Sequence, residues 1–249
     1  MPNRVIHVMG MAVSIDIRAD PPDVGALDAA VAEVREWLEW VDGRFSTYKD
    51  DSDVSRLARG ELDIAAVAPE IGEVLALGDR FRDATGGYFD VRAGGRLDPS
   101  GVVKGWAVER ASAVLLAAGF ADHAVNAGGD IRTRGRPGPG RKWRVGIAHP
   151  HVQGGLVAVA EVADGAVATS GTAERGAHVV DPHTGRAALD LASVTVVGPD
   201  LVPADVYATA ALAMGRAAPE WLEGLEGHEA LVVSADATTW HTPGFPFAP

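Results

Sequence analysis

Asp205 and Thr209 stand four residues apart in the run ADVYAT, Ala204 to Thr209. On a helix that spacing places both oxygens on one face. A carboxylate beside a hydroxyl suits a hard cation such as Mg2+, which keeps several waters and takes further ligands from phosphate. The same spacing also suits an Asp that complements the helix dipole and a Thr that faces core or solvent. A second candidate is Asn126-Ala127-Gly128-Gly129-Asp130, where two glycines let backbone N–H groups approach a ligand closely. Its plainer reading is a tight turn in which Asp130 satisfies the turn's own amides.

Thr169-Ser170-Gly171 is followed by His178-Val179-Val180-Asp181-Pro182-His183-Thr184-Gly185. A neutral imidazole at His178 can take a proton from an incoming hydroxyl, or simply serve as a structural donor. Ser170 is a weaker nucleophile candidate, because no base stands at local spacing. In Arg44-Phe45-Ser46-Thr47-Tyr48, Tyr48 offers a ring that can stack on a flat ligand or pack at an edge. In Asp98 to Trp106, Lys104 is expected at a helix start, where N–H groups and a cation can jointly meet a phosphate, or where the loop simply enters the helix with a solvated Lys.

The elements that must carry these groups follow from periodicity. Val5–Ile17 reads as a strand interrupted at Gly10. Gly25–Val41 carries apolar residues at helical spacing and is expected to end near Gly43. Asp51-Ser52-Asp53 caps a short helix, Val54–Arg59; further helices are predicted over Pro69–Ala84 and Val103–Ala118. Strands follow at His123–Asn126, Lys142–Ala148, Leu156–Val162, Ala166–Thr169 and Ser193–Val197. A helix at Val202–Met214, a short helix near Pro219–Leu225 and a strand at Glu229–Ser234 complete the pattern. Helices lie mainly in the first half and strands in the second, which predicts an α+β fold. No repeat or clear linker divides residues 1–249, so a single domain of one or two merged lobes is expected.

Composition narrows the function classes. The 249 residues are 47% hydrophobic, enough for a sizeable core, and the formal net charge is −12. An acidic surface disfavours nucleic acid and anionic lipid as partners. The chain has no cysteine, which removes disulfides, thiolate metal sites and a cysteine nucleophile. The first 18 residues lack the apolar core of a signal peptide, there is no lipidation cysteine, and no stretch reaches membrane-spanning length. A cytoplasmic protein with no membrane insertion is therefore expected. The P-loop, the strand-coupled GxGxxG, HExxH, the EF-hand loop and the GxSxG elbow are all missing.

Taken in order, the segments Met9-Gly10, FSTY (Phe45–Tyr48), DSDVSRL (Asp51–Leu57), TGGYFD (Thr85–Asp90), SGVVKGWAVERA (Ser100–Ala111), NAGGDI (Asn126–Ile131), TSG, HVVDPHTG and ADVYATA resemble the ApbE family of FAD:protein FMN transferases over nearly the whole chain. The resemblance implies an ApbE-like, T-fold-related arrangement of mixed sheets and packed helices. It implies a Mg2+-dependent enzyme, a transferase of a phosphorus-containing group. Such an enzyme moves FMN from FAD onto a Thr or Ser hydroxyl of an acceptor flavoprotein and releases AMP.

Position by position, the resemblance places Mg2+ on the Asp205 and Thr209 side chains and the Val103 carbonyl, with Asp205 thereby catalytic. It places Met9, Tyr48 and Asp90 along the flavin. Lys104, Trp106, Gly128, Gly129, Asp130, Thr169 and Ser170 fall near the rest of FAD. It makes His178 both a cofactor neighbour and the catalytic base. An FAD diphosphatase yielding FMN and AMP, and a non-catalytic FAD-binding module, use the same residues. Two positions depart from the family pattern. Only Val91–Leu97 separates TGGYFD from the Lys-Gly helix, where family members commonly carry a longer segment, and Glu109 stands where Asp is usual.

Overall fold

The structure, a computed structural model, describes residues 3–18, 23–172 and 179–249. The chain opens with strands β1 (Asn3–Val8) and β2 (Met11–Ile17), paired antiparallel from Val8↔Met11 outward. Met9 and Gly10 both have positive φ, 55° and 71°, the backbone of a two-residue turn whose twist matches that of its strands. The single strand expected over Val5–Ile17 is therefore a hairpin, because Gly10 permits a reversal where an interruption was read.

Helix α1 (Val24–Phe45) starts with Asp23 accepting from the Ala26 amide at 3.0 Å. It buries Leu27, Val31, Val34, Leu38, Val41 and Phe45 along one stripe. The helix runs through Gly43, past its expected end, because Phe45 continues that stripe into the core. Helix α2 (Asp53–Ala58) is capped by the Ser52 hydroxyl, and α3 (Pro69–Ala84) begins on its proline. Helix α4 spans Ser100–Ala117, three residues earlier than the apolar pattern predicts, with Pro99 at its cap position. Gly101 makes the early start possible, since a Cβ there would lie 2.8 Å from the Phe89 ring.

Strands β3 (His123–Ala127), β4 (Asp130–Arg134), β5 (Trp143–Ala148), β6 (Leu156–Val162), β7 (Gly165–Gly171) and β8 (Leu191–Gly198) follow. Then come α5 (Leu201–Met214), α6 (Ala218–Glu223), β9 (Glu229–Ser234) and β10 (Thr239–His241). Eight strands form one sheet in the order β1-β2-β3-β4-β7-β8-β9-β10, every pairing antiparallel, and β5-β6 form a separate pair. Strands from both ends of the chain thus share one sheet, in the expected α+β class.

The period-2 alternation sorts the sheet's faces. Ala166, Ala168, Val194, Val196, Ala230 and Val232 face the helical core, whereas Val167, Val197 and Leu231 pack with Val145, Ile147, Ala160 and Phe245 of the opposite layer. Covered on both sides, β8 is buried from Leu191 to Val197. Helix α5 lies in the helical layer and is apolar nearly all round, as a largely enclosed helix is. No described helix is long and apolar enough to cross a membrane.

Candidate active site

Helices α4 and α5 approach each other backbone to backbone. A Cβ on Gly105 would lie 3.0 Å from the Val202 Cα and 3.2 Å from the Leu201 carbonyl oxygen, so only glycine fits without displacement. This contact brings the turn carrying Val103 and Lys104 against the first turns of α5. There the Lys104 ammonium meets the Asp130 carboxylate of β4 and lies 3.5 Å from Asp205 Oδ1 of α5. Asp130 and Asp205 are both buried, 1% and 3% exposed, so these carboxylates are held in place rather than solvated.

The pairing corrects two expectations. Lys104 is a full turn inside α4, whose first residues are Ser100 and Gly101, so its charge meets carboxylates of other elements and not its own helix start. Asp130 does not serve the glycine turn. Asn126 does that, accepting from the Gly129 amide at 3.0 Å, while Gly128 and Gly129 take φ of 58° and 95° to close the β3-β4 hairpin. Asp130 instead accepts from the Thr169 amide of β7 at 2.9 Å and reaches Lys104 with its other oxygen.

Strand β7 supplies the hydroxyls. Thr169 bonds Thr195 of β8 at 2.8 Å, and Ser170 Oγ lies 2.9 Å from Thr209 Oγ1. Asp205 and Thr209 therefore do share a helix face, with Lys104 beside the first and Ser170 beside the second. The side-chain donors are carboxylate and hydroxyl oxygens, with no sulfur, a set that would fit a hard divalent cation. Among the described residues no group of three or more His, Cys, Asp or Glu side chains is placed to hold an ion. A cation held here would need further ligands from water or a phosphate-bearing molecule, which Mg2+ commonly takes.

The other predicted positions have surroundings of their own. Trp106 is two residues from Lys104 and so on the opposite helix face; its indole packs against Trp37 and Phe45, centroids 5.0 and 5.5 Å away, and donates to Glu73 at 3.3 Å. Trp106 therefore belongs to the α1–α4 core. Tyr48 is 95% exposed, in the loop where its amide donates to Ser46 Oγ. Asp90 accepts from the Arg92 amide at 2.8 Å, and Met9 forms the β1-β2 turn. Across that hairpin, Met11 Sδ lies 3.1 Å from where a Gly128 side chain would begin, so the two turns adjoin. His178 lies outside the described residues. Downstream of it, the Asp181-Pro182-His183 turn sets the His183 ring edge-on to Tyr88 at 4.5 Å, linking it to the TGGYFD segment.

Two further residues were not marked as site residues from the sequence. Glu109 Oε1 accepts from the Leu201 amide at 2.6 Å, and its Oε2 is 3.1 Å from Arg132 Nε. Arg132 is 1% exposed; burial draws its pKa down, and the Glu109 charge opposes that shift. Strand β4, Asp-Ile-Arg-Thr-Arg, is too charged to read as a strand. Alternation along β4 puts Arg132 on the same face as Asp130.

Comparison with known proteins agrees with this architecture. Residues 9–96 and 92–232 match the model of the ApbE family. An FAD:protein FMN transferase of Escherichia coli is 29% identical over 162 residues, 60% of this chain and 46% of its own length. A Rhodobacter capsulatus protein of the same name is 30% identical over 201 residues, 77% of this chain and 36% of its own. The chain thus spans about half or less of these relatives. Among solved structures, the ApbE protein of Thermotoga maritima superposes with a TM-score of 0.86 at 20% identity, covering 97% of both chains. The flavin transferase ApbE of Vibrio cholerae gives 0.81 at 24%, again covering 97% of both. On the match across most of its length, this chain is a member of the ApbE family.

Proposed function

We propose that this chain is a Mg2+-dependent FAD:protein FMN transferase. It moves FMN from FAD to a Thr or Ser hydroxyl of an acceptor flavoprotein and releases AMP. The observation that carries this reading is the convergence of Lys104, Asp130, Asp205, Ser170 and Thr209 from four separate elements onto one oxygen-rich, largely buried site. The relatives named for that activity support it.

In the reaction the acceptor hydroxyl oxygen attacks the phosphorus joined to the ribityl chain. The phosphoester bond forms as the pyrophosphate P–O bond breaks, and AMP leaves with the bridging oxygen. The acceptor's proton passes to a base, the role that the family resemblance gives to His178. Asp205 and Thr209, with the Val103 carbonyl, would hold Mg2+, which neutralises charge at the two phosphates when bound. The Lys104 ammonium, held by Asp130, stands ready for a phosphate oxygen of the same ligand. Asp130 in turn keeps Lys104 aimed and is itself oriented by the Thr169 amide.

The test is mass spectrometry of a peptide carrying a Ser/Thr-Gly-Ala-Thr type sequence, incubated with the protein, FAD and Mg2+ beside an Asp205→Ala control. A Mg2+-dependent gain equal to an FMN phosphoester, absent in the control, is expected. Free FMN and AMP with unmodified peptide would instead identify a diphosphatase. Intact FAD bound without turnover would identify a binding module.

A further inference from the structure

We propose that Glu109 and Arg132 are positioning residues for the Asp205–Thr209 site, acting through the first turn of α5; this rests on the function proposed above. A helix begins with backbone N–H groups that lack partners in the helix. In α5 the cap position is Asp200, whose side chain makes no capping bond. The partner comes from another helix: Glu109 Oε1 of α4 accepts from the Leu201 amide at 2.6 Å. The carboxylate also places negative charge at the positive end of the α5 dipole.

Arg132 secures the same end from the sheet. Its Nη1 donates to the Pro199 carbonyl at 2.5 Å, its Nη2 lies 3.6 Å from Asp200 Oδ1, and its Nε is 3.1 Å from Glu109 Oε2. Residues 199–201 are thus gripped by α4 and β4 together. Asp205 sits one turn beyond Leu201, so a shift of that first turn moves the Asp205 carboxylate with it.

The same two elements hold both ends of the arrangement. Strand β4 gives Asp130 and Arg132, which share a face by alternation, and α4 gives Lys104 and Glu109. The pairs have opposite polarity: acid on the strand with base on the helix, then base on the strand with acid on the helix. Gly105, between Lys104 and Glu109, lets the α5 backbone come within contact, which leaves little slack for the helix to slide. Oriented metal ligands need such outer partners, whose loss typically weakens metal binding.

Mn2+ as a paramagnetic substitute for Mg2+, titrated into FAD-loaded protein and followed by electron paramagnetic resonance, tests this together with amide hydrogen exchange across residues 199–206 in metal-free protein. E109A is expected to weaken Mn2+ binding by about tenfold or more and to speed exchange at Leu201. E109Q, which keeps an acceptor for that amide, should fall between E109A and the unsubstituted protein. R132K, which keeps a buried cation, serves where E109A does not fold, and should show the same two changes in milder form. Unchanged Mn2+ affinity in E109A, or in both E109Q and R132K, with binding lost in D205A, overturns the positioning role alone. Equal affinity in D205A and the unsubstituted protein overturns the metal-site reading and this proposal with it.

Discussion

Ser170 Oγ and Thr209 Oγ1 lie 2.9 Å apart, tying strand β7 to the helix that carries Asp205. The bond fixes the rotamer of Thr209 one helical turn from the Asp205 carboxylate. Ser170 therefore orients a proposed metal ligand and is not needed as a nucleophile. Ser170→Ala should raise the Mg2+ concentration for half-maximal FMN transfer by about tenfold, and Thr209→Val by more. Stability should change by only about 1 kcal/mol in either variant. A Mg2+ titration of activity beside a thermal unfolding curve checks both. Equal Mg2+ requirements in Ser170→Ala and the unsubstituted protein would remove Ser170 from the site.

Asp130 has two separable duties. One oxygen accepts from the Thr169 amide and the other faces Lys104. Asp130→Asn keeps an acceptor for the amide and removes the charge that aims the ammonium. It is expected to fold normally and to lose transfer activity. Asp130→Ala strands the buried amide as well, at a further cost of about 1–3 kcal/mol. Denaturant unfolding of both variants separates the effects; equal stability would mean that the Thr169 bond contributes nothing.

Gly105 marks where two helix backbones meet, 3.0 Å from a hypothetical Cβ to the Val202 Cα. Gly105→Val must push α5 away from α4, because neither backbone atom can rotate aside. A loss of about 1–3 kcal/mol is expected, typical of overpacking. Because Asp205 rides on α5, the Mg2+ requirement should rise too. Unfolding midpoints and the Mg2+ titration together check this, and a stable variant with an unchanged Mg2+ requirement would contradict the close contact.

His123 is fully buried, with Nδ1 2.7 Å from the Phe120 carbonyl and Nε2 2.7 Å from Ser112 Oγ. A carbonyl only accepts, so Nδ1 carries the proton and Nε2 accepts from the serine. Burial holds the His123 pKa below its usual value, the Phe120 bond opposing. The unfolded chain then takes up a proton near the ordinary histidine pKa while the folded chain resists it. Stability is therefore lost as pH falls below about 6.5, by at most about 1.4 kcal/mol per pH unit from this group. His123→Gln should flatten that slope between neutral and mildly acidic pH in urea unfolding. An unaltered slope would assign it to other groups.

Much of the element pattern was legible along the chain. The α3 helix and the β6 and β9 strands fall on their predicted bounds, since each is delimited by local signals such as Pro69 or a glycine turn. Where boundaries moved, packing overrode local preference. Phe45 drew α1 through Gly43, and Gly101 let α4 start early beneath Phe89. Strand β4 carries no apolar signal, because Asp130 and Arg132 are buried by pairing, which no sliding pattern of hydrophobicity can register.

The candidate site divides along the same line. Asp205 and Thr209 were readable as a pair because helical spacing is a local property, and the order of short motifs pointed to the family. The partners were not. Asp130 reads locally as a turn residue, yet it meets Lys104 across 26 positions of sequence, and Glu109 reaches Leu201 across 92. Trp106 stands two residues from Lys104 in the same motif, yet the 3.6-residue turn of α4 sends its ring to the other side of the helix, against Trp37. Residue types and periods state what each element can present. Which carboxylate meets which cation depends on how strands and helices stack, and that is set by burying apolar faces throughout the chain at once.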